Sequence, residues 1–197
     1  MGRDMGQDEP ADGRERGGLL SWVIVVAVAI VAAFLIRTFV CEPFVVPTGS
    51  MEDTIEVGDY ILGEKVSLAF SQPKQGDIVT FEDPEGTTDA NGDTTILVKR
   101  VIATEGQTVE LRDGVVYVDG EALDEPYVEG KRSDPLSSTM AGADIAYPYT
   151  VPAGCVWVMG DNRTNSRDSR YFGAISTDTI TSVAFLRYWP LDRFGLL

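Results

Sequence analysis

The chain contains no histidine, so a serine or cysteine nucleophile here must find its base elsewhere. A Ser-His-Asp or Cys-His site is excluded, as is any zinc site with a histidine ligand. The two cysteines, Cys41 and Cys155, are too few for a four-thiolate metal site. They read either as one disulfide of a domain outside the cytoplasm or as two separate thiols. Lysine remains as a base, provided that it is neutral at working pH. Its ordinary pKa of about 10.4 falls by several units when it is buried in apolar surroundings. Of Lys65, Lys74, Lys99 and Lys131, only Lys99 lies within a continuous strand pattern, Ile96-Leu97-Val98-Lys99-Arg100-Val101-Ile102. Two-residue alternation puts Leu97, Lys99 and Val101 on one face. Lys99 is then either a desolvated base or a lysine snorkelling from a strand edge.

The matching serine lies in Pro47-Thr48-Gly49-Ser50-Met51. Gly49 lets the backbone turn sharply and approach a substrate. The Ser50 amide N–H is then available as an oxyanion donor, and Thr48 offers a hydroxyl two residues upstream. Taken alone, the segment also reads as an ordinary Pro-x-Gly-Ser turn. A third polar cluster, Gly160-Asp161-Asn162-Arg163-Thr164-Asn165-Ser166-Arg167-Asp168-Ser169-Arg170, follows the apolar run Val156-Trp157-Val158-Met159. Its paired charges suit either a buried hydrogen-bonded scaffold or a solvated loop. Asn162-Arg163-Thr164 also matches a glycosylation sequon.

These residues need an anchor and a scaffold. Leu19 to Ile36 is free of charge, and at about 1.5 Å per residue it extends about 27 Å, close to the hydrocarbon thickness of a bilayer. Arg3, Arg14 and Arg16 precede it, and only Arg37 follows before Lys65. The positive-inside rule therefore places the N-terminus in the cytoplasm and the rest outside. Ala27-Val28-Ala29 has a small-x-small form but lies inside the apolar run, which favours a retained signal anchor over a removable signal peptide. The acidic, Gly-rich stretch 1–18 reads as a disordered cytoplasmic tail.

Beyond the anchor the apolar period becomes that of strands: Asp77–Phe81, Thr95–Ile102, Thr108–Leu111, Val115–Val118, Cys155–Met159 and Thr179–Tyr188. Asp113-Gly114 and Asp119-Gly120 mark hairpin turns. The expected fold is mostly β, one transmembrane helix (19–36) followed by an antiparallel, barrel-like β domain (37–197). Dense loop signals predict an exposed insertion at about 129–150 and a second, acidic loop at 83–93. The formal net charge of −15 argues against a nucleic-acid partner and against electrostatic adsorption to anionic lipid. Asp89, Asn91 and Asp93 begin like a calcium loop, but Thr94 and Arg100 occupy the positions that need Gly and Glu.

With these segments in place, the chain resembles the bacterial type I signal peptidases, a family of Ser-Lys dyad proteases. Four ordered motifs carry the resemblance: Pro47-Thr48-Gly49-Ser50-Met51; Gly76-Asp77-Ile78-Val79; Lys99-Arg100-Val101-Ile102 with Gly106; and Gly160-Asp161-Asn162-Arg163 through Ser166, Asp168, Ser169, Arg170 and Gly173. The resemblance implies a membrane-bound serine endopeptidase, without cofactor or metal, that removes signal peptides from secretory preproteins. Its active domain would stand on the outer face of the plasma membrane. Ser50 matches the nucleophile and Lys99 the general base. Ser166 matches the position that orients the lysine, and Thr48 would complete the oxyanion hole with the Ser50 amide. Asp161, Arg163, Asp168 and Arg170 match a structural salt-bridge set. Phe44, Val45, Val46, Met51 and Leu97 are expected to line the pockets for small substrate side chains. Two departures stand out: Met51-Glu52-Asp53 lacks a proline common in relatives, and Glu105-Gly106-Gln107 replaces Pro-Gly-Asp. The rival expectations are a self-cleaving Ser-Lys protein and a membrane-tethered β domain that binds without catalysis.

Overall fold

The computed structural model describes residues 12–89, 91–136 and 145–197. Two compact units divide the chain, residues 1–39 and 40–197. In the first, helix α1 runs Asp12–Phe39. Within it Ser21–Phe39 is long and apolar enough to cross a membrane, and none of that stretch is buried against protein. Trp22 is 71% exposed, as a lipid-facing indole would be. The helix begins before the expected span, so Asp12–Gly18, expected to be disordered, is helical. The physical reason is propagation: once the apolar turns form, adding a residue yields one more backbone hydrogen bond at little further cost.

The second unit is built almost wholly of antiparallel strands: β1 (Cys41–Val45), β2 (Tyr60–Glu64), β3 (Ile78–Glu82), β4 (Ile96–Thr104), β5 (Thr108–Arg112), β6 (Val115–Val118), β7 (Glu121–Ala122), β8 (Tyr149–Thr150), β9 (Cys155–Met159), β10 (Ile175–Ser176), β11 (Ile180–Trp189) and β12 (Gly195–Leu196). A four-residue helix, α2 (Ser169–Phe172), precedes β10. The larger sheet runs β1-β2-β11-β3-β4-β9-β10, with β12 paired to β11; the smaller runs β7-β6-β5-β8. The expected antiparallel, barrel-like β domain is present as an unclosed barrel: among the described residues β1 and β10 end the larger sheet without pairing to each other, and the smaller sheet packs against it through Ile102, Trp157, Val109 and Val116. Register shifts within β11 and between Val101 and Ala103 of β4 bend the larger sheet without closing it.

Both expected hairpin turns form. Arg112 pairs with Val115 across Asp113 (φ 55°) and Gly114 (φ 84°). Val118 pairs with Glu121 across Asp119 (φ 53°) and Gly120 (φ 83°). Positive φ at both central positions defines the two-residue turn that matches strand twist, and Asp-Gly tolerates it.

Strand β4 is buried on both faces from Lys99 to Ala103. Val101 packs with Val79, Phe81, Val156 and Val158. Ile102 and Ala103 pack with Val109, Val116, Val151, Trp157 and Met159. A third cluster gathers Val46, Met51, Ile55, Ile61, Ile78 and Ala184. Each fully buried aliphatic side chain contributes roughly 1.5–3 kcal/mol, so the strand that carries Lys99 is held from both sides.

The segment 129–150 is not uniformly exposed. Its residues Ser137, Ser138 and up to 144 lie outside the described residues, but Ser133 is buried and Tyr149–Thr150 forms β8 against β5. Tyr147 and Tyr149 pack on Trp157, with ring centroids 6.0 and 4.7 Å apart. The aromatic residues Tyr147 and Tyr149 find the indole of β9 and cover it, so this end of the segment is drawn onto the core. Cys41 and Cys155 are both free thiols, each half-buried.

Candidate active site

Ser50 sits in a short 3-10 turn, Gly49–Met51, entered through Thr48 in extended conformation (φ −130°, ψ 152°). Met51 and Ile55 are fully buried in the third core cluster. These two apolar anchors hold the turn down, so Ser50 is presented at its rim. Lys99 lies in mid-β4, opposite Val79 of β3. Its side chain is 2% exposed. Lys99 Nζ stands 2.7 Å from Ser50 Oγ and donates to the Val98 carbonyl at 2.9 Å. Burial pushes the Lys99 pKa down to about 8, while the carboxylates of Asp168, Asp161 and Asp83 work against that shift.

A cavity of about 60 Å³ opens beside this pair, lined by Val46, Pro47, Thr48, Ser50, Met51, Thr95, Ile96, Leu97, Val98 and Lys99. Of the residues expected to line substrate pockets, Val46, Met51 and Leu97 lie in the wall of this cavity. Phe44 and Val45 are not in the lining: Phe44 packs on the core cluster of Met51, and Val45 is 55% exposed. Strand alternation sends Val46 inward and its neighbour outward. Thr95, Ile96 and Val98 also belong to the lining; two-residue alternation from Lys99 selects Leu97 but not its neighbours. Strand β9 pairs with β4 only from Arg100 onward, whereas β3 pairs along Ile96–Arg100. Among the described residues, Ile96–Lys99 is therefore laddered on one side only.

The polar turn 160–170 is a scaffold rather than a solvated loop. Arg100 Nε and Nη2 grip Asp161 Oδ1 and Oδ2 at 2.9 and 2.7 Å. Arg170 Nε and Nη2 grip Asp168 at 2.9 Å each. Arg163 pairs with Glu125, with Nη1 2.9 Å from Oε2. Tyr127 lies 4.0 Å beneath the Arg100 guanidinium, and burial with Glu125 beside it pushes its phenol pKa up. The expected set of Asp161, Arg163, Asp168 and Arg170 is thus buried, but two of its partners, Arg100 and Glu125, lie outside the motif. Fork-to-carboxylate pairing is the arrangement that makes such burial tolerable.

Gly160 permits a close approach: a Cβ there would come within 2.3 Å of both Ser166 Oγ and the Ser50 carbonyl oxygen. Ser166 Oγ is buried without a hydrogen-bond partner. The lysine amine is held instead by Ser50 Oγ and Val98 O. Thr48 is on the cavity wall, exposed, and its side chain does not cap the turn. Asn162, the sequon asparagine, is 6% exposed and its amide is hydrogen-bonded to Gly49 and Glu52, which leaves no room for a glycan.

Residues 19–189 match the family model for signal peptidase, peptidase S26. This chain belongs to that family. It is 42% identical over 171 residues to a probable signal peptidase I-1 of Synechocystis, an alignment covering 86% of this chain and 82% of that one. It is 33% identical to a signal peptidase I of Mycobacterium tuberculosis (96% and 79% covered) and 33% identical to the signal peptidase IB of Staphylococcus aureus (89% and 92% covered). The matched region takes in both the apolar helix and the strands of the second unit, so α1 fits a membrane anchor of a peptidase in this family.

Proposed function

We propose that this protein removes signal peptides from secretory preproteins, with Ser50 as nucleophile and Lys99 as general base. The single observation that carries the mechanism is the 2.7 Å approach of Lys99 Nζ to Ser50 Oγ, made by a buried lysine whose pKa is about 8. A neutral amine at that distance accepts the hydroxyl proton as Oγ attacks the scissile carbonyl. The oxyanion is stabilised by the Ser50 N–H and the Thr48 hydroxyl on the cavity wall. The resulting ammonium then protonates the leaving amine, and the same lysine activates water to hydrolyse the acyl-enzyme. Once Ser50 Oγ is bonded to substrate, the unpartnered Ser166 hydroxyl is the nearby group free to hold the lysine.

The walls of the cleft support this substrate class. The unpaired side of Ile96–Lys99 offers backbone donors and acceptors to an extended peptide. The small cavity beside the dyad, walled mainly by Val46, Pro47, Met51, Ile96, Leu97 and Val98, suits a small apolar side chain. That fits small residues at the −1 and −3 positions of a preprotein. For topology, the Lys/Arg bias around α1 favours a cytoplasmic N-terminus with the second unit outside.

The deciding experiment is cleavage of a preprotein by full-length, detergent-solubilised protein, with the cut site read by mass spectrometry. Cutting after a small-x-small sequence is expected for the wild type and is lost in Ser50→Ala and in Lys99→Ala. A fully active Lys99→Ala would exclude the dyad. Ser166→Ala should retain the cut site and lower kcat.

A further inference from the structure

Glu52 follows the Ser50-Met51 pair, and the dyad chemistry gives it no role. Its surroundings do. Asn162 Nδ2 donates two hydrogen bonds, one to the Gly49 carbonyl and one to Glu52 Oε2, both 2.9 Å. The Asn162 backbone N–H donates to the Ser50 carbonyl at 3.1 Å. Thr164 Oγ1 donates to Asn162 Oδ1 at 3.3 Å. The amide of Asn162 therefore uses both donors and its acceptor, which leaves one orientation of the group.

We infer that Glu52 and Asn162 form a clasp that aims the Ser50 amide at the oxyanion; they are positioning residues. The inference rests on the assignment of Ser50 as nucleophile. The reason is the geometry of the peptide plane. The Gly49 carbonyl and the Ser50 N–H lie on opposite edges of one rigid trans peptide unit. Fixing the oxygen with Asn162 Nδ2 therefore fixes the direction in which the N–H points. Fixing the Ser50 carbonyl with the Asn162 N–H immobilises the next plane as well. Both peptide units flanking the Ser50 α-carbon are thus pinned by one residue. Glu52 acts through Asn162: its carboxylate demands the NH2 end, so the amide cannot flip and present Oδ1 to the Gly49 oxygen. The same carboxylate lies over Gly49, where a Cβ would come within 2.3 Å of Glu52 Oε1. A side chain at residue 49 would push the Glu52 carboxylate out of the place it holds against Asn162.

The strand bearing the base is tied to the same place. Asp161, adjacent to Asn162, is gripped by Arg100, adjacent to Lys99, and accepts the Thr54 hydroxyl at 2.5 Å. The clasp thus sets the oxyanion donor in a frame shared with the base, and orientation of a pre-aimed donor is where catalytic power is lost when it is disturbed.

The test is steady-state cleavage of a preprotein by the full-length protein in detergent, for Glu52→Ala, Glu52→Gln, Asn162→Ala and the double Glu52→Ala/Asn162→Ala, with melting temperatures alongside. Glutamine retains an acceptor for Asn162 Nδ2, so Glu52→Gln should keep most of wild-type kcat. Glu52→Ala should lose several-fold and Asn162→Ala about tenfold or more in kcat, each with little change in KM and no shift of the pH midpoint set by Lys99. The double variant should be no worse than Asn162→Ala alone, because Glu52 acts only through Asn162. Wild-type kcat in Glu52→Ala, equal damage in Glu52→Gln and Glu52→Ala, or a loss confined to KM would each overturn the clasp. If Ser50→Ala or Lys99→Ala stayed active, the dyad itself would fall; an inactive dyad variant beside an unaffected Glu52→Ala sinks the clasp alone.

Discussion

Two stretches of this chain look alike as sequence and end in opposite environments. The turn 160–170 and the hairpin loop 83–93 are both short, polar and crowded with carboxylates. In the first, Asp161, Arg163, Asp168 and Arg170 are all buried. In the second, Asp83 is buried, while Glu85, Asp89 and Asp93 are exposed. The difference lies in what answers each carboxylate. The turn interleaves arginines with its acids, and Asp161 and Asp168 each receive a two-pronged guanidinium. The loop has no basic residue of its own. Asp89 instead bonds the backbone N–H groups of Asn91 and Asp93 at 2.8 and 3.0 Å, closing on itself in water. A carboxylate satisfied by its own turn can stay solvated, whereas one matched by a guanidinium can be carried into the core beside Lys99.

The sharpest way to break this contrast is to remove one prong of the buried set. Asp161→Ala leaves the Arg100 guanidinium buried and unpaired, and orphans Thr54 Oγ1 as well. A loss of about 3–5 kcal/mol is expected, read as a fall in the melting temperature of the full-length protein by near-ultraviolet circular dichroism, where buried Trp157 reports. Asp89→Ala in the exposed loop should leave the melting curve where it was. Equal effects from the two substitutions would mean that the buried pairs contribute nothing particular to the scaffold.

A second, somewhat smaller effect concerns the lysine that the buried turn surrounds. A fall in the Lys99 pKa from 10.5 to about 8 corresponds to about 3 kcal/mol held against folding when the amine is charged. Between pH 8 and 10.5 the unfolded chain binds the extra proton, so stability rises with pH through that window. Below pH 8 the cost is fully present. Lys99→Met, similar in length and apolar, should therefore be inactive yet melt higher than wild type at pH 7, with the gain shrinking as pH approaches 10. A Lys99→Met protein that melts lower at pH 7 would show that the amine's bonds to Val98 and Ser50 outweigh its burial.

What the sequence made legible divides along the same line. Lys99 stood out because an isolated charge inside Leu97-x-Lys99-x-Val101 is a local anomaly, and the Asp-Gly turns were legible because positive φ at two adjacent positions is a local demand. Arg100 and Glu125 were missed as partners of the 160–170 turn because the pairings span 61 and 38 residues. Nothing in the chemistry of an arginine says which distant carboxylate will reach it. The same holds for the sheets. Alternation identifies a strand, but closure into a barrel depends on which edges meet, and here Tyr149–Thr150 joins β5 in a second sheet instead. Beside the cavity, Val45 faces out because a one-residue step from Val46 in an extended backbone turns a side chain to the other face, while Phe44 is taken up by the core cluster of Val46 and Met51.

The smallest expected effect sharpens the contrast at the one residue the two regions share. Asp83 opens the acidic loop but is buried, reached by Arg167 of the polar turn, and is one of three carboxylates that hold the Lys99 pKa up against burial. Removing its charge as Asp83→Asn weakens that support, so the amine becomes neutral at lower pH. With Lys99 as the proposed base, cleavage would require the neutral amine, and wild-type kcat should rise through a midpoint near pH 8 set by Lys99. In Asp83→Asn that midpoint should move to lower pH, by less than the whole depression that burial produces, with the plateau rate nearly kept. Asp89→Asn, a few residues along the same loop but exposed and bonded only to its own turn, should leave the midpoint unmoved. A midpoint that shifts alike in both variants would mean that Lys99 senses the summed charge of the loop through solvent. A shift in Asp83→Asn alone would mean that it senses the single carboxylate carried inside with it.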